Sequence, residues 1–523
     1  MSLAVKTPLP APVLPQPPGR RPARRAPTQG AHLLRLDILF TAAFVALLGV
    51  SAVSGSMMAM AATGVLGLYV IFFVLVRRPI WALCAALVAQ HFSGLFKQAL
   101  DHSQASYFIQ DGTFVLVLVP LVLRRVVCAP AKPLPSVRLT AIDVLLGLFV
   151  VFTYVQAFNP DSPSPWLVLA AVRVRLLPIL MYVFVRGLLR EGYQLEKPLF
   201  FILGMGALCG ALFAMYESSI GETGVKALGP GFWPKQVSRT WGDAQGHEHF
   251  RPPSIYTDAG IAVVVAGMYA FMAMLRPYRM SLLGNIARYG TLLLCLTQVI
   301  VTGSRSGFLV IVVGFLFLAV VTRRRAITVA LLCLPLVLGL AMLIQPQILD
   351  RYATVTDPTK AYQDNRGWTV PLFMHEMETH PFGYGAGTST VGVGSVASLF
   401  GIPFDDETAV MDNGWLNTLH EVGVVGLALY LALLLTIFGY GLWLARRAPP
   451  GQAYLPLTMS VWTLILIVST FGGVLTDAFP INVYYWAMLA LMLGQARTLA
   501  VRRPPRLSSP RPMPRPLTEE VPL

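Results

Sequence analysis

Stretches of about twenty predominantly apolar residues recur along this 523-residue chain, each closed by a short polar or arginine-rich joint. A bilayer is the medium that cuts helices to that length, because inside it every backbone polar group must be paired within its own segment. The runs begin near Leu36, Met58, Ile80, Ser106, Ala141, Trp166, Leu199, Ala259, Ile286, Ser306, Ile327, Trp415, Leu455 and Val483. They predict an all-α fold, a polytopic transmembrane helix bundle of about 12–14 spans. The third and fourth runs are the least regular, interrupted by Gln90, His91, Lys97 and Asp101. Composition agrees: 55% of residues are hydrophobic and only 12% charged, against roughly 25% charged in an ordinary soluble domain.

A net charge of +15 could suggest a nucleic-acid partner. The arginines, however, sit at the ends of apolar runs, with no interleaved stacking aromatics, which is a topology signal; no nucleic acid is expected. Arg77 and Arg78, Arg124 and Arg125, Arg186 and Arg190, Arg276 and Arg279, Arg323 to Arg325, Arg446 and Arg447, and Arg502 and Arg503 all fall on one side. This predicts a multi-pass protein of a bacterial inner membrane with both termini cytoplasmic and two long loops, 217–258 and 345–413, facing outward. The expected divisions are a disordered Pro/Arg-rich tail (1–34), a first group of spans (35–198), a second group carrying both long loops (199–501) and a short disordered tail (502–523). The run from Leu36 is too long for a signal-peptide core and reads as an uncleaved span. Of five cysteines, four lie in apolar runs and Cys128 in a basic joint, so no disulfide or zinc framework is expected.

Ionisable residues inside apolar runs cost at least about 2.5–3.5 kcal/mol near mid-bilayer and need a reason. Arg173 and Arg175 lie well inside the sixth run; two residues apart on a helix, they point about 200° from each other, so at most one faces a given cavity. Snorkelling or an ion pair within the bundle is one reading, a grip on an anionic headgroup the other. The joint Thr302–Gly307 offers a helix start with free N–H groups and Arg305 beside them, which suits a phosphate or pyrophosphate and equally an ordinary cap. Gly383, Gly385 and Gly387 resemble a phosphate-cradling loop, but no strand precedes and no lysine follows, so an ATPase is disfavoured and close backbone packing is expected.

The runs G-S-R-S-G (303–307), H-P-F-G-Y-G-A-G (380–387) and D-N-G-W-L-N-T-L-H-E-V-G-V-V-G (412–426) together resemble the O-antigen ligase and O-antigen polymerase superfamily, over roughly Leu199 to Val501. That resemblance implies a membrane glycosyltransferase, independent of metal and of any cofactor, acting on a saccharide carried by a polyprenyl pyrophosphate. It implies membrane lipid as a further partner and, among proteins, a flippase and a chain-length regulator. The arginines matching its pyrophosphate-holding positions are Arg305, Arg251 (with Arg239 as the alternative) and Arg366, and Arg173 joins them as a span residue. The base that takes the acceptor proton is sought among Asp412, His420 and Glu421, with Asp258 and His380 behind them. Ligases of the superfamily carry a histidine where this chain has Asp412, so a polymerase of exopolysaccharide, capsule or O-antigen is expected ahead of a ligase; Asp412 followed by Asn413 also suits a helix N-cap. From other classes, an anion or saccharide transporter would show an inverted repeat, which is not evident in the sequence, and a scaffolding protein would tolerate loss of the loop arginines.

Overall fold

A computed structural model describes residues 78–100, 139–162, 164–232, 240–242, 248–256, 258–276, 280–322, 369–389, 413–449, 451–472 and 478–501, with the isolated positions 112, 114, 327, 339, 397 and 402. All lie in the compact unit Leu75–Leu523, which separates from Met1–Val74. Every expected run that begins among contiguous described residues is a helix. They are α1 (Pro79–His91) with the short α2 (Ser93–Ala99), α3 (Ala141–Val155), α4 (Pro165–Leu176) with α5 (Ile179–Arg190), α6 (Glu196–Ala227), α7 (Ala259–Leu275), α8 (Leu282–Val301) and α9 (Arg305–Thr322). Beyond them come α10 (Thr369–Thr379), α11 (Gly414–Arg447), α12 (Tyr454–Ser469) and α13 (Ile481–Val501). The runs near Leu36 and Met58, and most of those near Ser106 and Ile327, lie outside the described residues, as do both tails.

The chain is an all-α, multi-pass membrane bundle. Among the described residues five helices are long and apolar enough to cross a bilayer, or six if α1 and α2, bent by 52°, make one span; α7, α12 and Gly307–Thr322 are shorter apolar helices. Among the described residues the strands form a single two-stranded antiparallel ribbon, β1 (Thr240–Gly242) with β2 (Glu248–Phe250), inside the first long loop. That loop starts later than expected. Glu217 still lies in the first part of α6, which is broken at Gly221 (φ 65°, ψ −173°) before a short second helical piece runs on to Ala227.

Side-chain caps set several helix starts: Thr140 and Asp143 form a capping box on α3, and Asp258 accepts from Gly260 and Ile261 N–H at the start of α7. Helix α11 is capped by Asn413, which accepts from Trp415 and Leu416 N–H, so the cap falls one residue later than Asp412. The core centres on α7, buried along nearly its whole length, with α12 and α13 packed beside it.

Cross-contacts fix helix directions. A Cβ on Gly307 would lie 2.4 Å from Val263 Cγ1 and one on Gly314 2.2 Å from Phe271 Cζ, so α9 runs parallel to α7 with the two N-termini level. Trp415 Nε1 donates to Ile467 O (3.2 Å) and Ser460 Oγ to Phe438 O (3.1 Å), making α11 and α12 antiparallel. The Thr463 and Tyr485 hydroxyls meet at 3.1 Å, so α13 turns back along α12. His91 bridges Tyr256, just ahead of α7, to Tyr484, at the start of α13. The N-terminal ends of α7, α9, α11 and α13 therefore gather at one end of the bundle.

Candidate functional site

At that end α11 is broken. Gly423 sits at φ 65° and ψ −172°, a region essentially closed to residues with a Cβ, and the helical bonds that would cross it are replaced. The carbonyls of His420 and Glu421 accept instead from Tyr384 N–H (2.8 Å) and Gly385 N–H (3.1 Å), while Val424 N–H donates to Pro381 O (2.8 Å). The glycine-rich loop 383–387 thus fills the gap in a membrane helix, restoring pairing that an apolar medium demands. The approach leaves no room for side chains: a Cβ on Gly383 would lie 2.5 Å from Gly423 N, and one on Gly423 2.3 Å from Phe382 C.

The other side of the loop rests on the end of α3 and the start of α4. Gln156 Nε2 donates to Phe382 O (2.9 Å), Asn159 Nδ2 to Gly383 O (3.0 Å), and Ala386 N–H to Gln156 O (3.2 Å). A Cβ on Gly387 would meet the Leu167 carbonyl carbon at 2.8 Å. The glycines serve close backbone packing, as expected, but against helices on both sides.

Glu421, fully buried, pins this assembly. Its Oε1 accepts from Gly387 N–H (3.2 Å) and Ser389 N–H (3.1 Å), and its Oε2 stands 2.7 Å from Arg175 Nη2. Of the two arginines in α4, Arg175 is the buried one that pairs with Glu421; Arg173, the one singled out from the sequence for substrate, is half-buried elsewhere on the helix.

Its neighbour His420 faces a different group. His420 Nδ1 lies 3.2 Å from Glu376 Oε2, both side chains being nearly buried. Tyr384 stacks on the His420 ring (centroids 4.4 Å) and on His380 (3.8 Å). Burial, with the Glu376 and Asp161 carboxylates, pushes the Tyr384 phenol up. Glu376 was missed in the sequence. The available signal was a lone carboxylate on the apolar stripe of α10, between Phe373 and Met377, a position that asks for a partner.

Arg305 opens α9, half-buried, just after the left-handed Gly303 (φ 59°), and Ser304 caps the helix by accepting Gly307 N–H (3.3 Å). Arg251 lies in the segment leading to α7; its Nε is buried and meets no acceptor among the described residues. Asp258 is committed to capping α7, and His380 Nδ1 lies 3.0 Å from the Thr379 hydroxyl. Arg239, Arg366 and Asp412 fall outside the described residues. What the fold brings to one end is the Arg251 segment, Arg305, and the His420–Glu376 pair beside the locked glycine loop.

This ordered set of motifs on one end of a helical bundle has a counterpart among known families. Residues 290–431 match the O-antigen ligase family model. No curated protein matches the chain. The O-antigen ligase-like segment takes in Arg305, α10, the glycine loop, the His420–Glu376 pair and the break in α11, and leaves outside it the end of α11, α4 with Arg175 and the Arg251 segment. It is narrower than the Leu199 to Val501 resemblance, and it supports a membrane polysaccharide-assembly enzyme of ligase or polymerase type.

Proposed function

We propose that the chain is a glycosyltransferase that polymerises polyprenyl-pyrophosphate-linked oligosaccharide units at the periplasmic face of a bacterial inner membrane, in exopolysaccharide, capsule or O-antigen assembly. The observation that carries this reading is the family match over 290–431, because it contains Arg305, the glycine loop and the His420–Glu376 pair in one stretch. The arginine-terminated spans support the orientation, both termini cytoplasmic and the two long loops outside. Among the described residues no three His, Cys, Asp or Glu side chains cluster, and the proposed chemistry routes through arginine and histidine.

In the proposed step an acceptor hydroxyl attacks the anomeric carbon of the lipid-linked sugar. The new glycosidic bond forms as the bond from that carbon to the pyrophosphate oxygen breaks, and the pyrophosphate leaves with the electron pair. Arg305, Arg251 and Arg366 stabilise the charge that grows on it, with Arg239 as the alternative to Arg251. Arg251 supports the role through its buried Nε, a donor that meets no acceptor among the described residues. His420 takes the acceptor proton at Nε2, the nitrogen left over when Nδ1–H points at Glu376. Glu421, held by Arg175 and two amides, is better suited to fixing the loop than to accepting a proton. Asp412 is read as orienting the attacking hydroxyl.

The deciding experiment is a gene deletion followed by analysis of surface polysaccharide and lipid-linked intermediates. Loss of long chains with the complete lipid-linked unit retained is the expected result. Accumulation of long lipid-linked chains would make the protein a ligase, as the family's description suggests, and unchanged polysaccharide in both fractions would overturn the enzyme reading.

A further inference from the structure

The strangest polar residue in the described spans is His91, at the end of α1, fully buried yet hydrogen-bonded at both ring nitrogens. Its Nδ1 is 3.0 Å from Tyr484 Oη and its Nε2 2.5 Å from Tyr256 Oη, and Tyr256 Oη lies 3.3 Å from Gly206 O. Counting protons fixes the directions. The Gly206 carbonyl only accepts, so the single Tyr256 hydroxyl hydrogen goes there; Tyr256 Oη then accepts from His91 Nε2–H, and Nδ1 accepts from the Tyr484 hydroxyl. With that tautomer the His91, Tyr256 and Tyr484 donors each have an acceptor. Room for it is cut into one face of α6: a Cβ on Gly206 would fall 2.0 Å from His91 Nε2, and one on Gly210 2.8 Å from Tyr256 Cε2.

A second pin holds the same segment two residues earlier. Ser254 has a left-handed backbone (φ 65°), and its three polar groups are all bonded to helices. Its N–H donates to the buried Glu217 (2.7 Å), its Oγ to Gly210 O (2.6 Å), and its carbonyl accepts from Gln98 Nε2 (3.3 Å). Such a backbone persists only where its surroundings over-determine it. Pro252 and Pro253, with φ fixed by their rings, then join Ser254 to Arg251. Residues of α1, α2, α6 and α13 thus converge on a stretch of chain whose first residue is an arginine with a buried Nε that meets no acceptor among the described residues.

Apolar side chains would fill this space at a lower desolvation cost than three partnered polar ones. What the polar chain adds is geometry, and a guanidinium that stabilises developing charge is effective to the extent that it is held in place beforehand. We infer that His91, through Tyr256, is a positioning residue for Arg251, setting the guanidinium for the pyrophosphate of the lipid carrier; this rests on the pyrophosphate reading of Arg251.

The test is a double-mutant cycle on the full chain in lipid nanodiscs, with a sugar-free polyprenyl pyrophosphate as probe. Arg251→Ala is expected to weaken binding about tenfold or more, the scale of a lost charge-assisted hydrogen bond. His91→Phe, which keeps the ring volume, is expected to weaken it several-fold in the parent and not at all in the Arg251→Ala background, with the thermal midpoint of the apo protein little changed. Tyr256→Phe, retaining everything but the hydroxyl, should behave as His91→Phe does and serves if that variant does not fold. Normal binding by both phenylalanine variants, or equal losses with and without Arg251, would overturn the positioning role while leaving the pyrophosphate reading intact. Normal binding by Arg251→Ala would instead remove that reading, and the positioning role with it.

Discussion

Glu421 Oε2 and Arg175 Nη2 stand 2.7 Å apart, the carboxylate wholly buried and the guanidinium nearly so. The pair joins α4 to α11 and, through Glu421 Oε1, to the amides of Gly387 and Ser389. Breaking a buried pair strands one charge, which costs about 3–5 kcal/mol. Arg175→Ala and Glu421→Ala should each destabilise by that amount in thermal or denaturant unfolding in detergent, and the double variant by clearly less than the sum. Additive losses would show that the two groups are not coupled.

Two glycines break long helices with nearly the same backbone, Gly221 at φ 65° and Gly423 at φ 65°, but only the second is crowded. Nothing lies within 4 Å of a Cβ on Gly221, whereas one on Gly423 would strike Phe382 C and Pro381 O. Gly221→Ala is expected to cost about 1–3 kcal/mol, the backbone strain alone. Gly423→Ala should cost more and abolish polymer formation by expelling the glycine loop. Equal stability and activity in the two variants would contradict the docking of loop on helix.

If Arg305 contacts the pyrophosphate, Arg305→Ala ends polymer formation with the protein still inserted. Arg305→Lys should recover little, since a point charge does not reproduce the planar fork. Polymer at parent level in a strain stably expressing Arg305→Ala would take this residue out of the mechanism.

His420→Gln is expected to lower turnover about 10²–10⁴-fold, the usual worth of a general base. Asp412→Asn separates a second role cleanly, because Asn413 already caps α11 and the variant disturbs no cap. Severe loss in Asp412→Asn with His420→Gln active would make Asp412 the base.

Alkaline-phosphatase fusions check the orientation. A fusion near Tyr362 should be active and one at Arg324 inactive, and the reverse pattern would invert the topology.

The helices were legible because bilayer thickness sets their length, so Ala141, Trp166, Leu199 and Trp415 could be read as starts from hydropathy alone. The site was legible only as separate motifs. Gly423 reads in sequence as one tolerated glycine inside a helix, and the loop that docks on its break belongs to another stretch of the chain. Glu376 sat in a long loop of the sequence, and the partner that explains a carboxylate on the apolar stripe of α10, His420, lies 44 residues further on. Arg173 and Arg175 could be told to diverge, but which of them turns inward depends on Glu421, a tertiary fact. His91 looked like a flaw in a span because its partners, Tyr256 and Tyr484, belong to distant segments.

The carbonyls of His420 and Glu421 are completed by amides from a separate stretch of chain, so loop and helix form one structural unit. A hybrid protein that took residues 381–389 from one parent and 414–426 from another would have to match the break in one to the glycines of the other, and both to the 156–168 seat beneath them. Transplanting the loop alone would strip a membrane helix of its hydrogen bonds. Sequence diversity should therefore be tolerated in the lengths that connect these three pieces far more readily than in the pieces themselves.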